Sequence, residues 1–307
     1  KEKEAVAVDQ DRDVKTQNTF LRISVRLPEK GDRQGEASAK LFEGAALKAQ
    51  IESLVISAQK TNLESWSLPA RLSESLPVVQ SSDPRIAEDL DGAMNQLSRE
   101  LELAVQEPRS TEFNSAELFV SLHDRRLLLS NGLSHRWSQT RAYAEAAFSF
   151  ARSDKNGLVH ADEYLHSQWS VSLEDLSIQE LIRETATRAS RMLDVTKPES
   201  GRYAVLVGAD TLAHVIGDRV GHLAAANSYH GLPFVKPGDN LVSGATGDLL
   251  TVRIDPIAKF GADSLAVSEQ GVAQSPLLLV ERNHVRATCA DQQFAQYLKM
   301  NPTTVRG

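Results

Sequence analysis

Cysteine is almost absent from this chain: Cys289 is the only one in 307 residues. An intrachain disulfide is therefore impossible, and no zinc site with several cysteine ligands can form within the chain. No apolar run approaches the roughly 20 residues that a membrane-spanning helix needs. The opening residues, 1–4, alternate lysine and glutamate, unlike a signal peptide. These absences predict a cytoplasmic protein with no membrane partner.

Positive charge is in the minority. The chain has 34 lysines and arginines against 41 aspartates and glutamates, which gives a formal net charge of -7. A surface that binds nucleic acid needs clustered positive side chains, and here they are scattered among more numerous carboxylates. We therefore expect no nucleic-acid partner. The 41% of hydrophobic residues is ordinary for a soluble globular protein.

The length predicts two domains, each large enough to bury its own core. A polar stretch with proline and glycine, residues 196–201, marks the boundary. We therefore predict an N-terminal α/β domain over residues 1–196 and a β-rich C-terminal domain over residues 201–307. Lys1 is not an initiator methionine, so we expect residues before it, and the second domain is expected to be incomplete.

The first domain is predicted to place helices on a mixed or antiparallel sheet, in an α+β protein. Asp83-Pro84 is typical of a helix start, and Ser177 followed by Glu180 has capping-box spacing. Alternation and turn residues predict the strands. In chain order the predicted elements are strand 19–27, helix 45–60, a helix from 83 that ends before Pro108, strands 116–122, 125–130, 143–150 and 158–169, and a helix from 177 to Met192.

The second domain is predicted to be mostly β, with one notable helix. Residues 203–207 have the apolar character of a buried strand, and residues 212–226 that of a helix. Short strands are predicted at 248–254, 276–281 and 284–288.

The predicted helix carries the most informative segment, which reads Gly-Asp-Arg-Val-Gly-His over residues 217–222. At this point the chain resembles the TldD/PmbA family of zinc peptidases. The resemblance implies that these residues match the family's His-Glu-x-x-x-His helix, in which two histidines ligate zinc and the glutamate is the base.

The substitutions in this motif are damaging. Gly217 has no side chain to ligate a metal, and His222 alone cannot hold zinc, because catalytic zinc sites need about three protein ligands. Asp218 is one methylene shorter than glutamate, which misplaces a general base. The sequence therefore predicts a degenerate site, with no catalytic residue and no metal in this chain.

The resemblance extends in order and spacing over residues 116–307. Ser130–Leu133 is similar to an Asn- and Gly-containing turn of the family, and Ser268–Val272 is similar to its acidic turn before glycine and valine. Three further segments resemble the family's later strand, hairpin and Ser-Pro-Thr-Gly segment: residues 248–255, 277–290 and 301–304.

The resemblance implies a role like that of the TldE, or PmbA, type of subunit, which lacks the zinc motif. Such a chain is expected to be a pseudoenzyme subunit that pairs with a TldD-like catalytic subunit or with itself. The resemblance implies that the partner holds the zinc and that the complex processes unfolded or leader peptides. The chain itself contributes scaffold and peptide binding, the latter by strand addition at sheet edges. The peptide-binding residues are not identified.

Two alternatives stay open. In the first, the chain is a metal-dependent peptidase with a non-standard site among His214, Asp218, His222 and His230. His214 and His222 lie about 12 Å apart along a helix, too far to share one ion, so only neighbouring members can do so. In the second, the chain is a homodimeric peptide-binding protein without a catalytic partner.

Other chemistry-bearing residues favour ordinary interpretations. Cys289, at a predicted strand end, is expected to be a small buried hydrophobe, although His284 lies nearby in sequence. Asp248, Asp255 and Asp263 lack the spacing of a calcium loop and are expected to be solvated. The glycine-rich loop 243–247 lacks the lysine of a phosphate-binding loop.

Overall fold

The computed structural model describes residues 14–28, 32–42, 46–70, 75–107, 111–153, 159–192 and 199–303. Helices combine with three antiparallel three-stranded sheets in these residues, so the predicted α+β class is confirmed. None of the helices in the described ranges is both long enough and apolar enough to cross a membrane.

The first sheet has the order β1-β2-β3 and is formed by β1 (Phe20–Pro28), β2 (Arg33–Phe42) and β3 (Leu63–Glu64). Helix α1 (Leu47–Ala58) packs against β2, as the alternating strand and the following helical pattern predict. Gly35 makes this approach possible, because a Cβ atom there would lie 2.0 Å from the Ala58 carbonyl oxygen.

The second sheet is larger, with the order β4-β5-β6. Its strands are β4 (Glu112–Leu128), β5 (Ser134–Ser153) and β6 (Val159–Ser170). The two short runs predicted at 116–122 and 125–130 are one continuous strand, because His123 and Asp124 pair with β5 instead of turning. The predicted turn is confirmed at Gly132, whose φ of 88° is accessible mainly to glycine.

Helices α2 (Pro84–Glu88), α3 (Leu90–Val105) and α4 (Ile178–Arg191) pack against this sheet. The helix predicted from Asp83 is interrupted at Asp89, whose side chain accepts a hydrogen bond from the Gly92 N–H and starts α3. The helices and the sheet bury one hydrophobic core, whose largest side chains are Ile86, Leu97, Phe148, Ile178, Leu181 and Ile182.

The C-terminal part contains α5 (Ala209–Gly221), α6 (Ala225–Tyr229), β7 (Val252–Ile254), β8 (Leu277–Glu281), β9 (His284–Val285) and α7 (Gln292–Tyr297). The three strands form the third sheet, which covers a core of Leu223, Leu241, Leu279, Val280 and Val285. These strands are shorter than predicted, and irregular segments connect them.

The predicted strand at 203–207 is wrong. These residues are irregular and exposed, because no described strand lies beside them to accept their hydrogen bonds.

The predicted domain boundary falls largely on residues 193–198, which lie outside the described residues, so the division at 196–201 stays a prediction. Direct contacts do link the early and late parts of the chain. The Tyr297 hydroxyl donates to the Glu64 carbonyl oxygen at 2.5 Å, and Gln292 donates to the Ser67 carbonyl oxygen at 3.0 Å. The Phe260 N–H donates to the Gln80 carbonyl oxygen at 2.8 Å.

Candidate functional site

Helix α5 carries the motif positions 217–221 and ends at His222, its C-cap residue. Gly208 caps its N-terminus without a side-chain hydrogen bond, and Arg219 in the last turn interacts favourably with the helix dipole. The C-terminal end is held by Val220, which packs on the core around Leu223. Among the described residues, the contacts with a hydrophobic core lie at this C-terminal end, and most of the described side chains of the helix are exposed.

Of the three degenerate motif positions, His222 alone is partly buried. Its ring packs edge-on against Phe234 with centroids 4.1 Å apart, and its buried Nδ1 atom has no hydrogen-bond partner among the described residues. Gly217 and Asp218 lie on exposed helix surface. A Cβ atom at Gly217 would meet nothing within 4 Å, so the space for a ligating side chain exists and is unfilled.

The alternative ligands are dispersed as well. His214 is exposed on α5, two turns before His222, and His230 follows α6. His230 contacts aromatic rings, with centroid distances of 5.1 Å to Tyr229 and 5.9 Å to Phe294. Over the ranges that the structure describes, no three histidine, cysteine, aspartate or glutamate side chains come together as a metal site.

The residues at the motif position do not fit the zinc ion of the resembled family. A catalytic zinc ion needs about three fixed protein ligands and one open position. Gly217 offers no ligand atom, Asp218 lies exposed on the helix surface, and the His222 ring packs against Phe234. The three motif positions of this chain therefore supply one imidazole, where a catalytic zinc ion requires about three ligands.

Cys289 is buried, as expected, and its thiol is poorly suited to nucleophilic attack. Burial raises the pKa of the thiol to about 11, so it is protonated at neutral pH. Its backbone is used structurally, since its N–H donates to Leu223 and its carbonyl accepts from Ala225. His284 lies exposed in β9.

The remaining candidates are surface features. Asp248, Asp255 and Asp263 are all exposed, which confirms the prediction of solvated side chains. The glycine-rich loop 243–247 is also exposed, with positive φ at Gly244 and Gly247, and no helix follows it directly.

Two turns that carry the family resemblance lie against each other. In the turn at 268–272, Gly271 has a φ of 84°, and its N–H donates to the Ser268 carbonyl oxygen. A Cβ atom there would lie 2.8 Å from Leu129 Cδ1 and 3.7 Å from Leu133 Cδ2, in the turn at the tip of the β4–β5 hairpin. The sequence placed these turns only by similarity; the fold brings them together.

Sequence reasoning missed a groove of about 600 Å³ beside β5. It lies between residues 76–82, the first residues of β5 and residues 264–266. These three segments are distant in sequence, and none has a distinctive motif. The one available signal was the apolar run Leu76–Val79 in a stretch without helix or strand pattern.

The groove lies along an incompletely paired edge of β5. Strand β6 pairs with β5 only from Ala142 onwards, so no third strand of the described residues lies beside residues 134–141. Ser81 covers part of this edge, since its carbonyl accepts from the Thr140 N–H at 3.2 Å and its hydroxyl donates to the Ser138 carbonyl at 2.8 Å. By strand alternation the backbone groups of Arg136 face the same side, towards the groove.

The groove walls are mainly apolar, with a few polar groups. His135 and Trp137 stack with centroids 5.5 Å apart, and burial lowers the pKa of His135, which favours the neutral ring. Val78 is 98% exposed. An apolar strip beside free backbone donors and acceptors is suited to an extended peptide.

Comparisons with known proteins agree with this fold. No family model matches the chain. Over 136 residues it is 26% identical to a metalloprotease from Methanothermobacter thermautotrophicus, a match that covers 43% of this chain and 28% of that protein. The chain thus spans less than a third of this relative's length.

Three solved structures are similar over most of the chain. A putative modulator of DNA gyrase from Bacteroides thetaiotaomicron matches with a TM-score of 0.68 at 16% identity. The match covers 94% of this chain and 68% of that protein. A second such protein, from Thermotoga maritima, matches with a TM-score of 0.72 at 15% identity, over 93% of this chain and 64% of that protein. TldE from Thermococcus kodakarensis matches with a TM-score of 0.67 at 15% identity, over 93% of this chain and 67% of that protein.

At these identities the solved structures establish the fold, and the chain spans about two thirds of their lengths. The resemblance to the TldD/PmbA family is confirmed: the chain has the fold of TldE and of the two gyrase-modulator proteins, and part of it is similar in sequence to an archaeal metalloprotease.

Proposed function

We propose that this chain is a non-catalytic subunit of a TldD/TldE-like zinc metallopeptidase, in which it contributes scaffold and peptide binding. One observation carries the proposal: at the three positions that correspond to the family's zinc motif, this helix has one histidine, His222, with Gly217 and Asp218 at the other two. A TldD-like catalytic partner would then supply the zinc ion, the activated water and the glutamate base. The single buried cysteine is compatible with the cytoplasm as its compartment.

The substrate in this proposal is an unfolded or extended peptide, and we place its binding site in the groove beside β5. The free backbone groups at Arg136 would pair with the peptide backbone, which requires no particular peptide sequence. Val78 and the apolar residues next to it would contact alternate peptide side chains. The site thus favours extended chains over folded ones.

Zinc content and peptide cleavage test the subunit role together. The purified chain should contain less than about a tenth of an equivalent of zinc, because one histidine does not hold the ion. It should cleave an unfolded peptide only after a TldD-like relative from the same source is added. Near-stoichiometric zinc with activity in the chain alone, abolished by His222→Ala, would establish the alternative of a relocated metal site.

Peptide binding is tested at Val78, whose side chain is exposed and whose replacement costs no core packing. We expect Val78→Asp to weaken binding of a fluorescent unfolded peptide about tenfold, which corresponds to about 1.4 kcal/mol, since burying a valine contributes roughly 1.5 kcal/mol or more. Leu103→Asp is the matched control, because Leu103 is exposed on α3 outside the groove. Equal affinity in the two variants would place the peptide elsewhere.

A further inference from the structure

The tip of the β4–β5 hairpin is positively charged, although the protein as a whole is acidic. Residues 121–141 contain four arginines and one aspartate, with no lysine or glutamate, which gives a formal charge of +3 against -7 for the whole chain. The aspartate, Asp124, accepts a hydrogen bond from the Ser138 hydroxyl. Within the described residues, no carboxylate forms an ion pair with any of the four arginines, which are Arg125, Arg126, Arg136 and Arg141.

Two of these arginines lie opposite each other in the hairpin. Arg126 in β4 pairs with Arg136 in β5, so both side chains lie on the same face of the sheet, and both residues are exposed. Arg126 donates a hydrogen bond to the Ser134 hydroxyl at 3.4 Å, which is a neutral partner. Like charges in directly opposite positions destabilise an antiparallel pair. The described chain supplies no anion that would offset this repulsion.

The same arginine pair adjoins the groove beside β5. Arg136 lines the groove, and its backbone groups face it. An extended peptide that pairs there places one of its residues directly opposite Arg136, with its side chain on the face of Arg136 and Arg126. Neighbouring strands lie about 4.8 Å apart, so Arg136 is one strand spacing from the peptide and Arg126 is two.

We propose that Arg126 and Arg136 form a carboxylate-binding site, which selects peptides with an aspartate or glutamate opposite Arg136. A guanidinium group presents a fork of N–H donors that matches the two oxygens of a carboxylate. A bound carboxylate also offsets the repulsion between the two arginines. The inference rests on the proposed function for the position of the peptide, and it adds the chemical class of peptide that the groove prefers.

The other face of the hairpin offers a matched control. Arg125 is exposed and lies opposite Trp137, so its cross-strand neighbour is neutral and its side chain is on the opposite face from Arg126 and Arg136. Arg125→Gln removes the same charge from the same hairpin as Arg126→Gln does. A difference between these two variants therefore separates a local binding site from the general positive charge of the hairpin.

Fluorescence anisotropy with three matched unfolded peptides tests the site. Every second residue of these peptides is Glu, Gln or Lys, because alternate residues of an extended chain share a face. We expect the Glu peptide to bind roughly tenfold more tightly than the Gln peptide, since each exposed charge pair changes affinity by a few-fold. The Lys peptide should bind more weakly than both. The preference should decrease at about 1 M salt, where the Debye length is about 3 Å.

The arginine variants then locate the preference. Arg126→Gln and Arg136→Gln should each reduce the preference for Glu over Gln to about twofold or less, whereas Arg125→Gln should retain most of it. All three side chains are exposed, so circular dichroism should show an unchanged fold. Equal affinity of the unmodified chain for the Glu and Gln peptides would overturn the proposal. The same loss of preference in Arg125→Gln would overturn it as well.

The neutral Gln peptide tests the groove separately from the carboxylate site. If Val78→Asp weakens binding of the Gln peptide but the Glu peptide has no advantage, the groove stands and the carboxylate site fails. If Val78→Asp leaves the affinity for the Gln peptide unchanged, the proposed peptide position fails, and the carboxylate site fails with it. A single-stranded oligothymidylate that binds more tightly than the Glu peptide, and loses affinity in Arg126→Gln, would assign the arginines to nucleic acid and overturn the proposal.

Discussion

Helices α4 and α5 have nearly the same length, 14 and 13 residues, but α4 packs in a core whereas most described residues of α5 are exposed. Helix α4 is rich in charged residues, yet it buries six residues against the second sheet and α3: Ile178, Leu181, Ile182, Thr185, Ala186 and Ala189. Helix α5 contains Leu212, Val215 and Val220, yet within the part of the chain that the structure describes only its C-terminal end reaches a core.

The difference shows that apolar content alone does not determine whether a helix is buried. Helix α4 arranges its apolar residues in one stripe opposite a complete sheet, so each of them finds neighbours. None of the three sheets in the described residues lies beneath the first turns of α5. The charged face of α4 is satisfied locally by pairs such as Arg188 with Glu184, whereas α5 keeps its apolar face in water.

The largest expected effect separates the two helices directly. Ile182→Ala in α4 should lower the free energy of unfolding by about 2–5 kcal/mol, because the side chain is fully buried and leaves a cavity. Leu212→Ala in α5 should cost about 1 kcal/mol or less, because a large part of that side chain is already exposed. Urea unfolding followed by circular dichroism measures both. Similar losses at the two positions would mean that α5 is buried in solution.

A buried carboxylate supports the start of the N-terminal helices. Asp83 accepts hydrogen bonds from the Arg85 side chain, the Ser172 hydroxyl and the Leu173 N–H, at 2.8 to 3.1 Å. We expect Asp83→Ala to cost about 2–3 kcal/mol, since it removes a helix cap and leaves buried donors without acceptors. Glu199→Ala, exposed before α5, is the control and should change the stability little.

The same carboxylate predicts a pH dependence. The Arg85 side-chain hydrogen bonds hold the pKa of Asp83 well below its ordinary value. A depressed folded-state pKa stabilises the protein above the unfolded value of about 3.9, and this contribution is lost as the pH falls below it. Unfolding at pH 3 and pH 6 should therefore differ more in the unmodified chain than in Asp83→Asn. Equal pH dependence would rule out this role.

The N-terminal caps of α4 and α5 also differ, and we expect them to have a smaller effect on stability. The Ser177 hydroxyl accepts a hydrogen bond from the Glu180 N–H, whereas Gly208 offers α5 no side-chain cap. Ser177→Ala should cost about 1 kcal/mol, and Gly208→Ser should leave stability unchanged or raise it slightly. Thermal unfolding of the two single variants provides the test. A loss of stability in Gly208→Ser would contradict the N-terminal boundary of α5.

The smallest expected effect is an increase in the stability of the protein. Gly217→Ala should raise the free energy of unfolding by about 0.5–1 kcal/mol, because glycine is a poor interior helix residue and the added Cβ meets nothing within 4 Å. Gly271→Ala is the matched control and should lower stability, since its φ is 84° and Leu129 Cδ1 is 2.8 Å from the added atom. A loss at Gly217 would mean that a partner packs against that helix surface.

Much of the N-terminal fold was predictable, because its elements follow local sequence patterns. The alternation of β1, the spacing of α1 and the capping residues of α4 all depend on local sequence. The break before α3 was missed because Asp89 sits inside an apolar pattern that continues across it. The prediction at 203–207 failed for the opposite reason: its apolar pattern requires a neighbouring strand that the described chain does not supply.

The motif positions were correctly assigned to a helix, although it begins at Ala209 and ends at Gly221. The contact of His222 with Phe234 was not predictable, since a loop of irregular backbone brings Phe234 back to the helix end. The groove depends on three segments that meet only in the folded chain. The local sequence pattern contains no information about which distant segments pack together in the fold.

The hydrogen bonds between the segment 64–67 and α7 have a consequence for biosynthesis. Glu64 and Tyr297 are 233 residues apart in the chain. At a translation rate of roughly 5–20 residues per second, about 10 to 50 seconds separate their synthesis. The segment 64–67 therefore emerges from the ribosome long before its hydrogen-bond partners in α7 are synthesised, so these hydrogen bonds form late in the synthesis of the chain.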